Sequence, residues 1–144
     1  MIVRPTITAQ APEGWVWKES ITLLGPRGEA NVIASSESVD SSMTSETYAA
    51  VQGELLKTEF PGYREFSFEP TPLFGDRSGF IRKFEWKPPD GDPVTQYQLY
   101  YVDAGRGYTA TATTPSRSLH RFESEMLNIL RSLNISADSL AQVS

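Results

Sequence analysis

From Gly14 to Leu24 the chain reads GWVWKESITLL, in which Trp15, Trp17, Glu19, Ile21 and Leu23 alternate with Val16, Lys18, Ser20 and Thr22. A period of two, rich in β-branched and aromatic residues, predicts a long strand. GPRGE at 25–29 supplies turn residues, and ANVIASSE at 30–37 is the returning strand of a hairpin. After the serine-rich SSESVDSSMTS, the spacing over Thr44 to Phe60 becomes helical, with Thr44 or Ser42 as N-cap and Glu46 in the first turn. Tyr48, Val51 and Leu55 fall on one stripe with Leu56 beside it. Gly53 inside this helix costs about 1 kcal/mol relative to alanine, and PGY at 61–63 ends it.

Four strand-like segments follow: YREFSFE, SGFIRKFEWK, PVTQYQLYYV and GYTATATT. Period two puts Phe66 with Phe68 on one face of their strand, and Phe80, Phe84 and Trp86 on one face of theirs. The connectors PPDGDP and DAGRG are hairpin loops, which makes the last three segments an antiparallel meander. SLHRFESEMLNILRSLNI is a second helix, whose Leu119, Phe122, Met126, Leu130 and Leu133 lie within about 80° of arc at 100° per residue. The tail SADSLAQVS is expected to be frayed or loosely docked, and Ile2 to Thr8 could add a short strand. The order β-β-α-β-β-β-β-α predicts an α+β domain: a mostly antiparallel twisted sheet carrying two amphipathic helices.

Length and charge narrow the class. The 144 residues fit one domain, 1–144, with its core at about 11–135. A net charge of −5 without a Lys/Arg cluster argues against a nucleic-acid or anionic-membrane surface. The start MIVRPTITAQAPEGW has no apolar run of signal-peptide length, and no later stretch reaches membrane-spanning length, so a cytoplasmic home is expected. Zero cysteines remove disulfides, thiolate metal sites and thiol nucleophiles together.

Candidate chemistry does not assemble. His120 lies on a helix flank near Ser116 and Ser118, without a G-x-S-x-G elbow. Asp90 and Asp92 belong to a turn and lack the twelve-residue loop of a calcium site. Gly105-Arg106-Gly107 lies between strands, whereas a phosphate cradle precedes a helix. Glu65, Glu69 and Glu85 read as a solvated strand face, with no sign of the split environments that acid-base pairs need. No catalytic, cofactor-binding or metal-ligating residue is assigned, and a non-enzymatic protein is expected.

Surface remains. Gln96 and Gln98 share one face of a strand, with Tyr97, Leu99 and Tyr101 on the other. The glutamines are either routine solvent-side residues or, if the helices cover only one sheet face, part of a surface that accepts a peptide or helix.

From APEGWVWKESITLL through FIRKFEWKPPDGDPVTQYQLYYV and GYTATATTP to MLNILRSLNI, the chain resembles the DcrB/PsbP-like superfamily. Within it, the chain looks most like the Eag chaperones, small cytoplasmic partners of type VI secretion effectors. The resemblance spans about residues 11–135 and rests on element order and on the pattern F-x-W, Q-x-Q-x-Y, Y-T-x-T-x-T before a final helix. It implies a homodimer that clasps an apolar transmembrane-helix segment of an effector before export. Ile21, Leu23, Phe66, Phe68, Gln96 and Gln98 would line the groove. The alternative it implies is a generic accessory domain of the superfamily whose partner is a folded protein.

Overall fold

The computed structural model describes residues 9–15 and 18–135. Its elements run β1 (Ser20–Leu24), β2 (Asn31–Ser38), α1 (Ser45–Glu59), β3 (Arg64–Pro72), β4 (Ser78–Trp86), β5 (Val94–Asp103), β6 (Arg106–Pro115) and α2 (Leu119–Ser132). Short 3-10 turns at Pro26–Gly28 and Ser116–Ser118 precede β2 and α2. The expected α+β order is the observed one. Of the long first strand, Ser20–Leu24 is strand among the described residues, while Val16 and Trp17, like the Ile2–Thr8 strand and the 136–144 tail, lie outside them.

All strand pairs are antiparallel, and the spatial order is β1-β2-β6-β5-β4-β3. The meander therefore runs from β3 to β6, and the β1–β2 hairpin docks against β6. This leaves β1 and β3 as the two edges.

The helices lie on opposite faces. α2 follows a 3.6-residue period and lays Phe122, Met126 and Leu130 against Val32, Ala110, Ala112, Tyr97 and Leu99. The two alanines on β6 let the helix approach closely, and each large side chain buried there contributes about 1.5–3 kcal/mol. α1 starts with Thr44 as its N-cap, the Oγ1 accepting from the Thr47 N–H at 3.1 Å. It packs over β4 and β5, burying Tyr48 and Ala49 against Tyr100.

The stripe facing the sheet from α1 is Tyr48, Ala49, Gly53 and Leu56. Val51 and Leu55, expected on the core stripe with Tyr48, are exposed along its flank. The buried guanidinium of Arg82 explains this rotation. A Cβ on Gly53 would lie 2.6 Å from Arg82 Nη2, so the helix turns its glycine onto the arginine.

The pairing of Phe66 with Phe68 also requires correction. The β3–β4 register shifts between Glu65 and Ser67, a β-bulge that adds one residue to β3. Phe66 consequently shares the α2 side with Lys83, whose Nζ lies 5.8 Å from its ring, whereas Phe68 stacks on Phe80 and under Arg82 on the α1 side.

Candidate protein-binding surface

Because α1 covers β4 and β5 and α2 covers β6 and β2, each sheet face keeps an uncovered portion. On the α1 face it comprises the outward residues of β6, β2 and β1. The registers align Thr111 with Ile33, and Ile33 with Thr22. Thr109, Thr111 and Thr113 form a row down β6, flanked by Ile33 and Ser35.

Each threonine of that row has a partner arriving from the covered side. The Tyr48 hydroxyl lies 3.0 Å from Thr109 Oγ1. Gln98 Nε2 donates to Thr111 Oγ1 at 2.9 Å, and Gln96 Nε2 donates to Thr113 Oγ1 at 2.7 Å. Trp86 Nε1 donates to Gln96 Oε1 at 2.8 Å, and the Tyr100 hydroxyl donates to Gln98 Oε1. Both glutamine amides are thereby fixed in orientation, yet each keeps one N–H and one carbonyl lone pair for a ligand.

Behind Gln98 stands an ion pair between the buried Arg82 and the partly exposed Glu65. Arg82, 5% exposed, donates from Nε to Glu65 Oε1 at 2.9 Å, and from Nη1 to the Ala49 carbonyl and the Tyr100 hydroxyl. Burial pushes the Tyr100 phenol up to about 12, against the opposing pull of Arg82. Burial likewise raises Tyr48 to about 12, its bond to Thr109 opposing the shift and the Glu37 carboxylate adding to it. Both hydroxyls remain protonated donors at neutral pH, so the row is neutral, with Glu37 at one end bonded to Tyr48.

The apolar margin of this face is Ile33 on β2 and the exposed Val51 and Leu55 of α1, on the helix flank that carries Tyr48. A neutral row of hydroxyls and amides between apolar margins can take an apolar segment that carries its own polar atoms.

The six residues expected to line one groove are dispersed. Gln96 and Gln98 border the open α1 face. Ile21 and Leu23 pair with Ala34 and Val32 and face the α2 side of the β1 edge. Phe66 is on the α2 side of β3, and Phe68 is on the α1 side of that far edge. Beside the two glutamines on the open α1 face stand Ile33, Val51, Leu55 and the β6 threonines. The alternation TATATT puts these hydroxyls on one face of β6, and the β5–β6 register makes it the face of the two glutamines.

The uncovered part of the α2 face holds a cleft of about 350 Å³ between β3, β4 and the end of α2, where Ile81, Leu99, Leu127 and Leu130 meet Lys83 and Arg131. Lys83 is engaged there by Glu123 at 3.1 Å. Among the described residues, no cluster of His, Cys, Asp and Glu has metal-ligating geometry, and no helix is long and apolar enough to cross a membrane.

No protein-family model matches the chain, and no curated protein matches it. Solved structures do. PA94 of Pseudomonas aeruginosa, a protein of unknown function, is similar over 88% of this chain and 90% of its own, at 18% identity and a TM-score of 0.75. The cyanobacterial PsbP of Synechocystis sp. PCC 6803 matches over 81% of this chain and 82% of its own, at 10% identity and a TM-score of 0.58. The fold is PsbP-like. LpqN of Mycobacterium tuberculosis, involved in cell envelope biogenesis, shares this PsbP-like architecture over 77% of this chain and 65% of its own, at 13% identity and a TM-score of 0.55. At these identities the likeness is one of fold, and the PsbP-like sheet presents its open face independently of what any neighbour does.

Proposed function

We propose that this protein is a non-enzymatic, cytoplasmic chaperone or adaptor, working as a homodimer, that binds and shields an apolar transmembrane-helix segment of a type VI secretion effector before export. The observation that carries the reading is the open α1 face: a neutral row of Thr109, Thr111, Thr113, Gln96 and Gln98 between the apolar margins Ile33, Val51 and Leu55. Apolar margins replace lipid around a client helix. The free amide and hydroxyl groups pair with polar atoms that a closely packed helix would otherwise leave unsatisfied. The type VI client and the cytoplasmic setting come from the resemblance to the Eag chaperones.

The test is co-expression with the membrane-helix segment of an effector encoded beside it, scored by soluble copurification. Ile33→Asp and Val51→Asp place charge on the open face at exposed positions and should abolish capture. Phe66→Asp, on the opposite side of the sheet, should leave it intact. A wild-type chain that leaves the segment insoluble, or capture indifferent to both face substitutions, would remove the reading. A folded-protein partner at the same face is the remaining use of an accessory domain.

A further inference from the structure

The two sheet edges are built differently. β3 carries Pro70, Pro72 and the bulge at Glu65/Ser67, with Arg64 and Glu69 in line, all features that discourage further strand pairing. β1 has none of these. Its five residues, SITLL, are uncharged and exposed, with Ile21 at 57%, Leu23 at 46% and Leu24 at 74%. Among the described residues no strand pairs with its outer side.

The hydrogen bonds define which groups are free. The Ser36 N–H donates to the Glu19 carbonyl and the Gly25 N–H to the Ala30 carbonyl. In the alternation of an antiparallel ladder, Ile21 and Leu23 then also bond inward to β2, and the N–H and C=O groups of Ser20, Thr22 and Leu24 point outward.

We infer that β1 is a pairing edge for the β1 strand of a second copy of this chain, joined antiparallel about a two-fold axis at Thr22. The strand is self-complementary in that register. Thr22 meets Thr22 of the partner, and Ser20 meets Leu24 twice, giving about six main-chain bonds from the outward groups. Ile21 falls opposite the partner's Leu23, and Leu23 opposite its Ile21, in the closely spaced non-hydrogen-bonded positions where apolar cross-strand pairs are strongest.

All four of these side chains lie on the α2 side. There they adjoin a notch of about 300 Å³ lined by Leu23, Val32, Phe122, Met126 and Ile129, which the pairing would help to cover. The antiparallel arrangement also sets Glu19 of each strand toward the partner's turn bearing Arg27. A two-fold axis perpendicular to the sheet keeps both α1 helices on one side, so the open faces of two copies join into one trough walled by two α1 helices. This gives the homodimer proposed above its interface.

Sedimentation equilibrium of the full chain without client tests the pairing apart from client binding. The wild type should be a dimer. Thr22→Pro removes an outward N–H without touching the β1–β2 bonds, and Ile21→Lys puts a charge among the paired apolar side chains. Each should raise the dissociation constant at least tenfold with the circular dichroism unchanged. If Thr22→Pro fails to fold, Ile21→Lys decides alone. A monomeric wild type overturns the pairing and leaves the edge to a strand of another protein. A dimer that survives Ile21→Lys, or a folded Thr22→Pro, overturns this interface while the dimer itself stands.

Discussion

Gly53 of α1 lies directly over the guanidinium of Arg82, so close that a Cβ at Gly53 would stand 2.6 Å from Nη2 and 2.8 Å from Cζ. The helix accepts a residue unfavourable by about 1 kcal/mol so that a buried cation fits beneath it. Gly53→Ala should therefore destabilise by about 1–3 kcal/mol, against the helix-propensity trend. Urea denaturation checks it, and the cost should largely vanish in an Arg82→Ser background, where the crowding is gone.

Glu65 is the only carboxylate paired with Arg82 among the described residues. Glu65→Ala leaves a desolvated guanidinium without its counter-charge and should cost about 2–3 kcal/mol, discounted from a fully buried pair because Glu65 is partly open to water. The same denaturation measurement reads it. A cost near zero would mean that Tyr100 and the Ala49 carbonyl suffice for the cation.

The two sides of α1 should separate cleanly. Leu56→Ala should cost about 2–5 kcal/mol as a core truncation. Leu55→Ser and Val51→Ser should each change stability by no more than about 0.5 kcal/mol. Thermal melts of the three variants check the rotation of the helix, and the reverse ranking would put the open face elsewhere.

Acid should weaken the α2 contact. The hydroxyl of Tyr97 and the ammonium of Lys83 both donate to Glu123 and hold its carboxyl below the ordinary value of 4.5. A depressed folded pKa contributes stability above the unfolded value, lost as pH falls through the folded one. Wild type should lose more stability than Glu123→Gln as pH drops below about 4.5, as denaturant midpoints across that range would show.

Alkali acts in the opposite sense through the tyrosines that burial raises from 10.0: Tyr48 and Tyr100, both to about 12, and also Tyr63 and Tyr97. A raised folded pKa means that the native state keeps protons the unfolded chain has lost. Stability should fall as pH rises from 10 toward 12, and tyrosinate absorbance should appear for these residues later than for exposed tyrosines. Tyr48→Phe with Tyr100→Phe should make that slope shallower, Tyr63 and Tyr97 carrying the remainder.

Arg82 shows how legible the molecule was in its sequence. In FIRKFEW it shares parity with Phe80, Phe84 and Trp86, so period two alone puts a cation on the aromatic face, and a glycine inside a nearby helix is the matching sign. Neither sign names its partner, because Gly53 and Arg82 are brought together by packing across elements. The bulge was less legible still. Its extra residue is invisible until β3 is in register with β4, and that single residue sends Phe66 and Phe68 to opposite faces.

Local pattern determined the elements, their order, the α+β class and the faces of β4, β5 and α2, because periodicity and capping act within a few residues of chain. The tertiary structure alone decided that the helices sit on opposite faces, that Val51 and Leu55 turn outward, that Glu65 serves Arg82, and that Ile33 and the threonines of β6 form the open face. Each of these depends on which strand lies beside which and on where a helix lands on the finished sheet, relationships between residues far apart in the chain that no local period encodes.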